Sequence, residues 1–141
     1  MSTASERKCL PTFADILDEL TIVQIKQVML PEGKASFIKR LDSLSHDLDL
    51  LIKEHDIKLS SKLIRIIVVL AQMNLHIWHN KEKLHANEPE YDRHLKLAHQ
   101  LNGIRNQMRN LLLEEVGEAT HAARRSNFST DGLTGWDVEI K

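Results

Sequence analysis

A chain of 141 residues, 42% hydrophobic and 28% charged, has material for one globular domain and excludes the low-hydropathy composition of a disordered chain. Its formal net charge of -1 excludes a global field that would draw it to nucleic acid or an anionic membrane. A single cysteine, Cys9, excludes an intrachain disulfide and fits a reducing compartment.

Met1 to Arg7 carries no apolar run of the kind a targeting segment needs. The longest strongly apolar run, Ile66 to Ala71, is too short to cross a bilayer. The expectation is a cytoplasmic protein with no membrane span and no nucleic-acid partner.

Residues 1–11 are small and polar, and are expected to be flexible. Thr12, with Asp15 three residues on, resembles a capping box that opens a first helix running to about Met29. Phe13, Ile16, Leu17, Leu20 and Val23 lie on one side of it. Ile22, Ile25 and Met29 lie on another, beside Asp18. A helix apolar on two sides belongs at the centre of a bundle.

Leu30-Pro31-Glu32-Gly33 breaks the pattern. A second helix follows from about Lys34 to His55. Its single apolar stripe runs from Phe37 and Ile38 through Leu41, Leu44, Leu48 and Leu51 to Ile52. After a connector at Asp56 to Ser60, Ser60 or Ser61 caps a third helix to about Ala86. Its first half, Leu63 to Met73, is apolar nearly all round. Asn87-Glu88-Pro89 ends it, and Pro89 suits the first turn of a fourth helix to about Arg124. Leu97, Leu101, Ile104, Met108 and Leu111 form the stripe of that helix. Gly103 inside it costs about 1 kcal/mol against alanine and points to close packing. Residues 126–141 have no period but carry Phe128, Leu133, Trp136, Val138 and Ile140, so this tail is expected to dock on the bundle or on a neighbouring subunit. The expected fold is all-α: a four-helix, mostly antiparallel bundle over residues 12–125 with a non-helical C-terminal tail.

Asn102, Arg105, Asn106 and Arg109 recur at three and four, so they share one side of the fourth helix next to its apolar stripe. Guanidinium forks there suit carboxylates or phosphates. Two readings stand side by side. In one, the residues tie the helices together, with Asp18 and Glu82 as partners. In the other, they line a pocket for a phosphorylated sugar or nucleotide. Asn74 and Trp78, one turn apart on the third helix, belong to the same candidate site. Asn74 faces inward and needs hydrogen-bond partners there. His76, His79 and His85 lack the companions of a metal site and read as a surface face, so neither a metal nor a cofactor is expected.

Glu114-Glu115-Val116-Gly117-Glu118 resembles the EExxE helix motif of the MazG-like nucleotide pyrophosphatases, where clustered carboxylates hold magnesium. Those enzymes use a second acidic pair on a later helix. Past Arg125 this chain has only Asp131, Asp137 and Glu139, in a stretch without helical period, so half of a two-metal site is present. The simpler reading is a solvated acidic helix end.

Three blocks carry a second resemblance. Asp18-Glu19-Leu20-Thr21-Ile22, with Ile25-Lys26, is similar to a D-x-L-T-I-x-x-I-K opening. Asn74-Leu75-His76-Ile77-Trp78-His79 is similar to an N-L-x-I-W-H segment, and Leu101 to Asn106 to an L-N-x-x-R-N segment. Together they resemble bacterial all-helical families of unknown function, often encoded near glycosyltransferases of surface-polysaccharide assembly. Gln107 stands where that pattern has Asp, and His85 where it has Arg. The resemblance implies an all-helical protein and no known reaction. The expected role is a non-enzymatic binding or assembly protein, a homo-oligomer with a possible protein partner. The alternative is a small enzyme or ligand-binding domain using Asp18, Glu82, Arg105 and Arg109.

Overall fold

The computed structural model describes residues 10–82, 90–118 and 139–140, the side chain of Glu82 apart. The expected loose start at residues 1–9, the turn at Asn87-Glu88-Pro89, His85, His121 and tail residues Phe128, Leu133, Trp136 and Val138 lie outside the described residues. Among those described there are four helices and no strand: α1 (Phe13–Met29), α2 (Lys34–Glu54), α3 (Ser61–Glu82) and α4 (Tyr91–Glu115). None of these is long and apolar enough to cross a membrane.

The start of α1 is built as its residue types dictate. Thr12 is extended, its hydroxyl accepts from the Asp15 N–H at 3.1 Å, and its own N–H donates to Asp15 Oδ2 at 3.0 Å. Ser60 opens α3 by accepting from the Leu63 N–H at 3.1 Å. Asp15 facing Arg109 and Asp18 facing Arg105 run α1 and α4 antiparallel. Lys62 beside Glu115 does the same for α3 and α4, and Glu19 beside Arg40 for α1 and α2.

The bundle is not square. α1 packs against all three other helices, while α2 packs its backbone on α1 alone. Sequence placed α1 at the centre for its two apolar sides, and it sits there. The main core joins Phe13 and Leu17 of α1 to Leu44, Leu48 and Leu51 of α2, Ile66 and Leu70 of α3, and Met108 and Leu112 of α4. A smaller core joins Met73 and Ile77 to Leu101 and Ile104. Ile140 is buried in the main core, and the rest of residues 126–141, apart from Glu139, lies outside the described residues.

Four details differ from expectation. Ile64 and Val68 of the apolar α3 half are 45% and 49% exposed, because α2 lies across α1 and leaves that side of α3 uncovered. Ile38, Ile52 and Met29 are also exposed, which narrows the buried stripes of α2 and α1. Near the end of α4 the fully buried position is Leu112, with Leu111 only partly covered. Finally, α4 stops at Glu115 and does not run to Arg124.

That stop has a physical cause. Gly117 takes a left-handed φ of 80°, the Glu118 N–H returns to the Leu113 carbonyl at 2.7 Å, and the Gly117 N–H to that of Glu114 at 3.3 Å. This is the Schellman closure that glycine permits. α2 closes the same way through Ile57 to Ile52 at 3.0 Å and Asp56 to Lys53 at 3.3 Å, but the left-handed residue is Asp56, at φ 49°. A side chain in that conformation costs about 1–2 kcal/mol, less for Asp than for most residues. Among the described residues no atom lies within 4 Å of a Cβ built on Gly117, so backbone strain is what opposes a side chain there. Gly117→Ala should therefore lower stability by about 1 kcal/mol, and Asp56→Gly should raise it by up to about 1 kcal/mol. Urea unfolding midpoints, at unchanged slope, check both.

Candidate functional site

The candidate residues converge on the carboxylate of Asp18, whose side chain is 4% exposed. α1 places Asp18 towards α3 and α4, one turn past Asp15. Oδ1 of Asp18 accepts from Asn74 Nδ2 of α3 at 2.8 Å and from Arg105 Nε of α4 at 3.1 Å. Oδ2 accepts from Arg105 Nη2 and, at 3.2 Å, from Arg109 Nη1. Arg105 thus grips the carboxylate with two nitrogens. Arg109 bridges to Asp15 through Nη2.

Thr21 closes the arrangement. Its hydroxyl donates to the Asp18 backbone carbonyl at 2.8 Å and accepts the Asn74 amide at 2.6 Å. An amide nitrogen facing both a carboxylate and a hydroxyl oxygen fixes the orientation of Asn74. At the rim, Arg105 Nη1 reaches Asn102 Oδ1 at 3.4 Å.

The charges balance: Asp15 and Asp18 face Arg105 and Arg109. A buried carboxylate is tolerated only when paired and hydrogen-bonded, and here it is both. The structural role expected of Asp18, Asn74, Arg105 and Arg109 therefore has direct geometry behind it. Asp18 is the arginine partner that sequence named. The Glu82 side chain, named as the other, lies outside the described residues. Asp15 is the second carboxylate of the network among the described residues. Sequence reasoning assigned Asp15 only to the helix cap, and it missed Thr21. The signal for Asp15 was present: Asp15 and Asp18 are three apart, and Arg105 and Arg109 are four apart, so the two pairs match across facing helices.

Two candidate residues stand outside the bonds. Asn106 is half-buried and makes no side-chain hydrogen bond among the described residues. Trp78, also half-buried, keeps its Nε1 hydrogen out of solvent without a hydrogen-bond partner among the described residues. Asn80, not singled out before, is 4% exposed and donates to the His94 carbonyl at 2.8 Å. His76 and His79 lie on the surface.

The acidic run at the end of α4 departs from the solvated helix end expected of it. Glu114 and Glu115 are exposed, and Glu115 meets Lys62 at 2.9 Å. Glu118, beyond the helix stop, is 2% exposed and turned inward. Its Oε1 accepts the free Phe13 N–H at the start of α1 at 3.0 Å, and its Oε2 lies 3.7 Å from His55 Nε2. An anion there answers the positive end of α1. The turn at Gly117 thus splits the EExxE spacing that a magnesium site on one helix would need. Among the described residues, no three His, Cys, Asp or Glu side chains gather at metal-binding distance.

Removing one member of a buried charge network strands the others. Asp18→Ala should cost about 3–5 kcal/mol in urea unfolding, whereas Asn106→Ala should stay within about 0.5 kcal/mol of the parent. Equal effects at the two positions would contradict the network.

No protein family, curated protein or solved structure matches this chain.

Proposed function

We propose that this protein is a non-enzymatic helical binding and assembly module that associates with copies of itself and serves as an accessory to glycan or cell-surface polysaccharide synthesis. One observation carries the reading: both arginines of the candidate site are already neutralised inside the bundle by Asp15 and Asp18. A pocket evolved for phosphate would hold its guanidinium forks open to the ligand. Here the forks are spent on fixing α4 against α1, which leaves outer surfaces for recognition. The glycan setting rests on the resemblance of the Asp18, Asn74 and Asn102 blocks to helical families encoded near glycosyltransferases. A cytoplasmic location accords with the lone Cys9.

A second reading rests on Arg105, whose side chain is 24% exposed at the edge of the network. It would meet a phosphorylated sugar or nucleotide at the bundle surface beside Asn102. Thermal unfolding of the wild type and of Arg105→Lys, with and without nucleotides, nucleotide sugars and inorganic phosphate, separates the two. The assembly reading predicts that Arg105→Lys lowers Tm by itself and that no compound raises the wild-type Tm. A compound that raises the wild-type Tm but not that of Arg105→Lys would favour the ligand reading.

A further inference from the structure

Two surfaces of this chain have opposite character. On α3, Ile64, Val68 and Leu75 are 45%, 49% and 38% exposed. Their steps of four and seven set them on one stripe of the helix. From Ser61 to Lys81 this helix has Lys62, Arg65 and Lys81 and no carboxylate, and Arg65 is exposed beside the stripe.

Between them, α1 and α2 enclose an open groove of about 400 Å³. Ile16, Leu44 and Leu50 supply apolar lining, and Asp15, Glu19, Asp47 and Glu54 stand around it against a single cation among the described residues, Arg40. Arg40 is already held by both oxygens of Glu19, at 2.8 and 3.0 Å. Asp15 is held by Arg109. No Lys or Arg meets Asp47 or Glu54 among the described residues, so the groove keeps an excess of negative charge.

One molecule cannot bring these surfaces together. The Asn74 bonds to Asp18 and Thr21 seat α3 on α1, and α2 packs on α1 without approaching α3. We infer that the apolar, basic face of α3 in one copy docks in the acidic α1–α2 groove of a second copy. This rests on the assembly reading above and names the partner and the two faces. The contact is heterologous: each copy offers one α3 face and one groove, so assembly proceeds head to tail, into rings or chains. The apolar stripe supplies the burial, and Arg65 opposite Asp47 and Glu54 supplies register and orientation.

The full chain, two variants and their mixture test it by sedimentation velocity across a concentration series. Val68→Glu spoils the α3 face, and the double change Asp47→Lys with Glu54→Lys spoils the groove. All three side chains are exposed, and circular dichroism melting checks that the fold is kept. The wild type should exceed monomer mass, with rising salt lowering the assembled fraction. Each variant alone should fall to the monomer. Mixed in equal amounts they should form a dimer, because the Val68→Glu copy keeps its groove and the groove variant keeps its α3 face. A wild-type dimer broken by Val68→Glu and not restored by mixing would mean a two-fold interface through α3. It would overturn the pairing and leave self-assembly standing. An assembly that neither variant weakens would also overturn the pairing, and a wild type that stays monomeric throughout would overturn self-association itself.

Discussion

A carboxylate removed from water must be met by donors, and Asp18 is met from every helix it faces. Asn74 comes from α3, Arg105 and Arg109 from α4, and Thr21 joins from its own helix. Apolar side chains tolerate sliding and repacking, whereas this arrangement does not. Moving α4 by one turn against α1 would leave only one guanidinium opposite a carboxylate and strand the other charges uncompensated in the interior. The leucine and isoleucine stripes supply most of the burial that holds the bundle together. The Asp18 network selects one register among those the stripes allow.

Glu118 does comparable work at the other end of the core. It joins the first N–H of α1 to the close of α4 across 105 positions of sequence, with His55 of the α2 terminus alongside. Ile140 packs into the same core. The start of α1, the end of α2 and Ile140 are therefore fastened in one region. The polar residues that look most like chemistry in the sequence are directed inward, and the surfaces left for partners are apolar faces edged with charge.

The helices were legible because apolar recurrence at three and four, the Thr12–Asp15 box and the breaks at Pro31 and Ser60 are local signals. Asp18 and Arg105 were legible as partners because each is a charged residue next to an apolar stripe. What stayed hidden depended on tertiary position. Asp15 has an evident local task as a cap, which concealed its second one with Arg109. Glu118 shares a short acidic run with Glu114 and Glu115, and only the turn at Gly117 sends it inward. Gly117 is itself a local helix-stop signal, which the expected helix to about Arg124 ran past. Ile64 and Val68 looked like core because periodicity reports an apolar face without reporting what covers it.

Asn74 and Arg105 lie on different helices, and the contact between them runs through the shared carboxylate of Asp18. A double-mutant cycle of Asn74→Ala and Arg105→Ala, read by urea unfolding, tests that convergence most directly. Coupling through Asp18 predicts that the two losses depart from additivity by about 0.5–3 kcal/mol. Losses that add within about 0.3 kcal/mol would show two independent contacts and contradict a common hub.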